Sequence, residues 1–197
     1  MLYYIAKVIL LPFVCLLFLP RVSGIKNIPG KGSVIIYSKH TSILDPIILG
    51  CLLPRRIHFM AKQELFRFFP VRIILKALGA FPVKRGSADI AAVRMALRTL
   101  KEGKVFGIFP EGTRNKNSEL REFNHGTAAI AHRSHATTIP VAISGGYRPF
   151  QPIRVIIGKP LDFTSYYGEK NSSELLENMS DKLVEAVSQI ISDNTGA

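Results

Sequence analysis

Only two of the 197 residues are cysteines, Cys15 and Cys51. That excludes a disulfide framework and any Cys-based metal site, and it makes a reducing compartment the default. Both are read as small buried hydrophobes. Acidic residues are scarce as well. Fourteen Asp and Glu stand against 26 Lys and Arg, so the formal net charge is +12 and the pI is about 10.0. The shortage is uneven: residues 161–197 hold seven acidic and two basic residues, a net of −5, so residues 1–160 carry +17. Such a body attracts anions, whether nucleic acid, anionic lipid or phosphorylated substrates. Nucleophile and metal signatures are missing too. No GxSxG marks a serine hydrolase elbow. His125, His132 and His135 form no HExxH or Cys/His zinc pattern, so no metal is expected. Gly30-Lys31 is not a P-loop, because Gly24 lies one residue too far back and Gly32 stands where Ser or Thr should follow the Lys.

What is present is a chain with 47% hydrophobic residues, 20% charged residues and a mean hydropathy of +0.20. It is long enough for one domain with a buried core and too apolar for disorder. High hydropathy with excess positive charge favours a membrane surface over nucleic acid as partner. The first twenty residues, MLYYIAKVILLPFVCLLFLP, would span about 30 Å as a helix. However, Lys7 leaves thirteen uncharged residues, Val8 to Pro20, before Arg21, and Pro12 should kink the helix. The segment is read as a retained membrane-dipping helix. A full span and a cleaved signal are the alternatives; Val22-Ser23-Gly24 is a poor cleavage site.

The body alternates strands and helices. Ser33–Ser38, Ile57–Ala61, Phe81–Lys84, Lys104–Phe109, Thr138–Ser144 and Ile153–Gly158 read as strands. Asp45-Pro46 reads as a helix start, with Asp as N-cap. Residues 62–78 read as two short helices divided at Pro70. Ser87–Leu100 shows Ile90, Val93, Leu97 and Leu100 at helical spacing, with Ser87 as cap. His125–Arg133 is a short helix. Asn171 with Glu174 resembles a capping box that opens a helix over about 171–194, with Leu175, Met179, Leu183, Val187 and Ile190 on one face. The expectation is an α/β fold: a single domain with a largely parallel central sheet flanked by helices, plus an N-terminal membrane-associating apolar helical segment. Residues 1–24 would be that segment and 25–197 the main domain.

Four segments could carry chemistry. Lys39-His40-Thr41-Ser42-Ile43-Leu44-Asp45 follows a strand, where α/β folds place ligands. Asp45 reaching one nitrogen of His40 would fix its tautomer and make the other nitrogen a general base. A surface His beside a capping Asp fits the same letters. Phe109-Pro110-Glu111-Gly112-Thr113-Arg114 offers a backbone turn, a hydroxyl, a guanidinium fork for phosphate and a carboxylate for hydroxyls; a turn with a local ion pair also fits. In Gly79-Ala80-Phe81-Pro82-Val83-Lys84-Arg85-Gly86, two cations at a strand end suit a phosphate, as does a solvated basic loop. Ile139-Pro140-Val141-Ala142-Ile143 reads on its own as core.

With these four segments in this order, residues 25–160 resemble the glycerolipid acyltransferase family, that of the bacterial 1-acyl-glycerol-3-phosphate acyltransferases. HTSILD resembles the family's His-x4-Asp block, and GAFPVKRG, FPEGTRN and TIPVAISG its second, third and fourth. Lys39 departs from the Asn that the family often carries before the His. The resemblance implies His40 as general base and Asp45 as its orienting partner. Arg85, with Lys84, would meet the acceptor phosphate. Glu111 would hold the glycerol moiety, and Gly112 and Arg114 would complete the phosphate site, beside the hydroxyl that Thr113 offers to the substrate. Pro140 would shape the acyl-donor side. It also implies transfer of a fatty acyl group from an acyl-CoA or acyl-carrier-protein thioester to the free hydroxyl of lysophosphatidic acid, giving phosphatidic acid. The thioester is a co-substrate, and no cofactor or nucleic acid is involved. The enzyme would sit on the cytoplasmic face of the cell membrane as a peripheral or monotopic protein. A backbone N–H near the His40 turn is the expected oxyanion donor. Two rivals remain at this point. One keeps the enzyme but takes another lysophospholipid or glycerol 3-phosphate as acceptor. The other is a non-catalytic basic module that binds membrane or nucleic acid.

Overall fold

A computed structural model of the chain describes residues 2–84, 89–115 and 123–195. Its centre is a seven-stranded sheet in the order β1-β7-β6-β2-β5-β3-β4. The strands are β1 (Arg21–Ser23), β2 (Val34–Ser38), β3 (Ile57–Lys62), β4 (Phe81–Val83), β5 (Val105–Ile108), β6 (Thr137–Ser144) and β7 (Arg154–Ile157). All neighbouring pairs are parallel except β6 and β7. β2 lies mid-sheet between β5 and β6, and each of its five residues is buried. An uninterrupted apolar run such as Val34-Ile35-Ile36-Tyr37 is what a strand covered on both faces requires.

Among the described residues, six α-helices cover the sheet: α1 (Leu2–Phe18), α2 (Asp45–Leu52), α3 (Phe69–Ala77), α4 (Ile90–Lys101), α5 (Gly126–Ser134) and α6 (Ser173–Thr195). Two cores result. Val34 and Ile36 pack with Val14 and Phe18 of α1 and with Ile48 and Leu49 of α2. Ile35 and Tyr37, on the opposite face, pack with α4, α5 and α6. The helices that follow the adjacent strands β2 and β5 therefore leave to opposite faces. That divergence makes the carboxyl ends of these two strands the kind of position at which open α/β sheets bind ligands.

The expected strands and helices appear with small shifts of boundary, and some local readings change. Asp45 is the first residue of α2 rather than its cap; Leu44 holds the N-cap position, and the Asp45 side chain turns back into the preceding loop. The cap of α6 is Ser172, whose hydroxyl accepts from Leu175 N at 3.1 Å, not Asn171. Asp89 caps α4, accepting from Ala92 N at 3.0 Å; Ser87 lies outside the described residues. The fully buried residues of α4 are Ala92, Ala96, Thr99 and Leu100, with the expected Val93 and Leu97 packed half-buried against the same core, whereas Ile90 is exposed. Small side chains let this helix approach its neighbours closely, so Ala92 and Ala96 sit deepest although they carry little hydrophobic signal. The break between residues 62 and 78 falls just before Pro70. A short 3-10 turn, Gln63–Phe66, precedes α3, and Pro70 sits in the first turn of α3, where its missing N–H costs nothing.

The N-terminal segment forms part of the domain. α1 runs through Pro12 without interruption. Tyr3 Oη donates to Gly50 O at 3.0 Å, and the Arg56 guanidinium lies 5.1 Å from the Tyr3 ring centroid. Lys7, which looked like an interruption of an apolar run, donates from Nζ to Leu53 O at 2.5 Å and so satisfies a carbonyl at the end of α2. Burial lowers the Lys7 pKa from its ordinary value. Just beyond α1, β1 pairs with β7 inside the sheet. Residues 2–24 and the rest of the described chain thus share one core. Cys51 is buried as expected, but Cys15 is exposed, on the outer side of α1. Among the described residues, no helix is long and apolar enough to cross a membrane.

Candidate active site

β2 ends at Ser38, and the chain must turn within six residues to enter α2. The turn is organised around one carboxylate. Asp45 Oδ2 accepts from Thr41 N at 2.8 Å and from Ser42 N at 2.9 Å, and it lies 2.8 Å from His40 Nδ1. Asp45 is 0% exposed and His40 8%. Burying a carboxylate this fully is costly unless it is hydrogen-bonded, as it is here, and the N-terminus of α2 adds favourable dipoles. With Nδ1 donating to Asp45, His40 Nε2 keeps its lone pair.

The ring is also held from the side. Phe109, just past β5, stacks on His40 with centroids 4.2 Å apart and planes 19° apart, and Phe59 stacks on Phe109 at 5.7 Å. Gly107 makes this possible. A Cβ there would lie 2.3 Å from Phe59 Cε1, so any larger residue would push Phe59 into the stack.

The loop after β5 meets the loop after β2. Gly112, at φ +67°, donates from N to Phe109 O at 3.0 Å, which closes a turn over Pro110 and Glu111. Asn115 N then donates to the carbonyl of His40 itself at 2.6 Å. Thr113 and Arg114 are exposed on this turn. Both carboxylate oxygens of Glu111 are shielded from solvent and have no hydrogen-bond partner among the described residues. Two buried acceptors without donors are costly in a finished structure and ordinary in a site that awaits a ligand.

The other sequence candidates lie farther away. Lys84 is exposed at the end of β4, three strands from β2, or about 14 Å at the usual strand spacing. Its backbone N donates to Asp89 Oδ2 at 2.8 Å, and the Lys84 and Ala92 N–H groups hold the Asp89 carboxyl below its usual range. Arg85 lies outside the described residues. Pro140 is buried in mid-strand, in register with Tyr37 on the α6 face, away from His40. The Thr41 and Ser42 N–H groups are committed to Asp45, so these two are not the expected oxyanion donors. Two grooves, of about 350 and 310 Å³, also lie elsewhere. One is at the end of α6 against β6 and β7, and the other at the amino ends of β3 and β5. No group of three or more His, Cys, Asp or Glu among the described residues could hold a metal ion.

The sequence reading missed Tyr147. It stands in the loop after β6, and its hydroxyl donates to Asp45 Oδ1. A signal was available: two glycines and a tyrosine directly follow the carboxyl end of a parallel strand, where ligand-facing loops belong.

A sequence model of the acyltransferase family matches residues 20–144, a span that holds all four segments. A 1-acyl-sn-glycerol-3-phosphate acyltransferase of Bacillus subtilis is 33% identical over 174 residues, covering 84% of this chain and 86% of the relative. The chain belongs to the acyltransferase family. That membership makes it an enzyme and removes the reading as a non-catalytic module. A further acyltransferase of the same name, from Borreliella burgdorferi, is 36% identical over 124 residues, covering 62% of this chain and 50% of that protein. The fold of this acyltransferase is also that of the 1-acyl-sn-glycerophosphate acyltransferase of Thermotoga maritima. The crystal structure of that protein aligns with a TM-score of 0.71 and 24% identity over 96% of this chain and 78% of that one.

Proposed function

We propose that this acyltransferase moves a fatty acyl group from an acyl-CoA or acyl-carrier-protein thioester to the free hydroxyl of 1-acyl-glycerol 3-phosphate, giving phosphatidic acid. The acceptor class follows the names of its relatives. The observation that carries the chemistry is the buried His40–Asp45 hydrogen bond beside a loop with an unsatisfied carboxylate and an exposed arginine.

In the mechanism, the acceptor hydroxyl oxygen attacks the thioester carbonyl carbon while His40 Nε2 takes its proton. Asp45 stabilises the imidazolium that forms. Collapse of the tetrahedral intermediate breaks the C–S bond, and the leaving sulfur takes the proton back. Glu111 accepts from the glycerol part of the acceptor, and the Arg114 guanidinium grips its phosphate, with Gly112 and Thr113 shaping the turn between them. Lys84 adds positive charge at the end of β4, and Arg85 would meet the acceptor phosphate with it. Pro140 would shape the acyl-donor side only indirectly, through the course of β6, since it packs on the α6 face away from His40. No cofactor is required.

The substrate is a membrane lipid, and the surface suits one. Phe68 and Phe69 are 65% and 62% exposed, Ile73 and Ile74 of α3 are exposed beside them, and Arg67, Arg72 and Lys76 are interleaved. The outer face of α1 exposes Tyr4, Ile5, Val8, Phe13 and Leu16. Apolar anchors flanked by cations suit the interface of an anionic bilayer, which makes the enzyme a peripheral or monotopic protein of the cytoplasmic face. The double variant Phe68→Ser/Phe69→Ser is expected to weaken co-sedimentation with anionic vesicles at least about 10-fold, with an unchanged melting temperature. Undiminished sedimentation would assign the membrane contact to α1 alone.

The deciding assay presents purified protein with radiolabelled acyl-CoA and acyl-carrier-protein donors and a panel of acceptors. Product from 1-acyl-glycerol 3-phosphate well above the others supports the reading. Preference for glycerol 3-phosphate or an unphosphorylated lysolipid would replace the acceptor, and no transfer to any alcohol would overturn it.

A further inference from the structure

We infer that Tyr147 is a positioning residue for the reaction, holding the Asp45 carboxylate and setting how strongly it pulls on His40. This rests on the reading of His40 as general base.

The hydrogen bonds of Asp45 divide by oxygen. Oδ2 takes His40 Nδ1 and the N–H groups of Thr41 and Ser42, all from within five residues. Oδ1 takes the hydroxyl of Tyr147, 102 positions along the chain. The Tyr147 hydroxyl in turn accepts from Thr41 Oγ1 at 3.1 Å. The relay therefore runs one way, from Thr41 to Tyr147 to Asp45. Local residues alone can hold one edge of the carboxylate, and the tyrosine holds the other. A two-edged grip fixes the plane of the carboxylate, and with it the line along which Oδ2 meets the imidazole.

The backbone around Tyr147 is built for this reach. Tyr147 has φ +47°, a left-handed conformation that is rare and strained for a bulky aromatic residue. Gly145, at φ +132°, sits against Pro152 and Ile153, where a Cβ would lie 3.0 Å from the Ile153 backbone. The loop is tied down at its far end, where Phe150 N donates to Leu17 O at 2.6 Å and Ile153 N to Phe18 O at 2.9 Å. Strain at a side chain that touches a buried carboxylate fits a positioning role better than a filler role, since phenylalanine would pack the same ring space. Burial and the neighbouring Asp45 charge both push the Tyr147 pKa up, so the hydroxyl stays a donor across the working pH range.

The titratable and charged groups around the carboxylate are His40 and Tyr147 in contact. Lys39, Glu111 and Arg114 belong to the loops at the same sheet edge. Lys7 and Tyr3 of α1 act at the other end of α2. Removing the Tyr147 hydroxyl concentrates negative charge on the oxygen that faces the imidazole. The protonated ring is then favoured, and the base is available only at higher pH.

The test is Tyr147→Phe in the full chain, assayed with a lysolipid phosphate acceptor and a thioester donor across pH. The expected result is a fall in kcat of about 10- to 100-fold, the range for one hydrogen bond to a charged group, with acceptor KM within about twofold. The acidic limb of the kcat/KM profile should move up by about 0.5–1 unit. A merely structural role would lower the melting temperature without moving that limb. Thr41→Val, which weakens the relay one step back, should move the limb the same way by less and provides the readout if the tyrosine variant does not fold. A limb unmoved in the folded variants overturns the proposal, whatever happens to kcat. His40→Ala is run beside them. Turnover near normal in that variant would overturn the general-base reading itself, whereas a dead His40→Ala with an unmoved limb in Tyr147→Phe removes only the role of the tyrosine.

Discussion

Replacing His40 with alanine is expected to lower kcat by about 10²- to 10⁴-fold, the usual contribution of a positioned general base. The protein should still fold. The substitution removes one donor from Asp45, but Thr41 N, Ser42 N and the Tyr147 hydroxyl remain on the carboxylate. A buried charge that keeps three hydrogen bonds is still compensated. The lost ring also vacates the stack on Phe109, so some loss of melting temperature is expected without unfolding. The measurement is single-turnover transfer with saturating donor and acceptor, beside a thermal melt. Folded protein that turns over near the normal rate would remove His40 from the chemistry, and the buried pair would then be only a clasp between β2 and α2.

Arg114→Ala separates binding from chemistry. Arg114 is exposed on the turn whose next residue, Asn115, is bonded to the His40 carbonyl, so its backbone lies near that of the base while its side chain carries none of the core. Loss of a charge-assisted contact to phosphate should raise acceptor KM about 10- to 100-fold while kcat falls much less. Stability should be unchanged, because no buried partner is stranded. An acceptor titration at fixed donor reads the split. Glycerol 3-phosphate and lysophosphatidic acid should be affected alike, since both carry the anion. An unchanged acceptor KM would return Arg114 to the role of a solvated turn residue and leave the phosphate to Lys84 and Arg85.

How much of this was legible beforehand depended on the distance between partners. The strand at 34–38 was readable because a doubly covered strand has to be apolar throughout. His40 and Asp45 were readable as a pair because five residues in one turn leave few ways for their side chains to miss each other. The same short range misled in detail. Asp before Pro is a good helix cap, but here the carboxylate faces backwards, because two loop N–H groups and an imidazole compete for it and win. In α4, helical spacing identified the helix and, in Val93, Leu97 and Leu100, much of its core-facing side, but not Ala92 and Ala96, which carry little hydrophobic signal and yet allow close packing. β1 carried no pattern at all. Its three exposed residues become a strand only because β7 offers an edge.

The amino-acid sequence by itself determined the alternation of strands and helices, the excess positive charge and the chemistry placed at each strand end. Each of these depends on residues within a turn or two of one another, or on simple counts. Tertiary structure decided which ends meet. It brought Asn115 to the carbonyl of His40, laid Phe109 on the imidazole, carried Tyr147 to the free edge of Asp45 and folded the N-terminal helix onto α2. Such contacts arise from the order of strands in the sheet and from which face each helix covers. Those are set by the packing of the whole core, and no local stretch of residues encodes them.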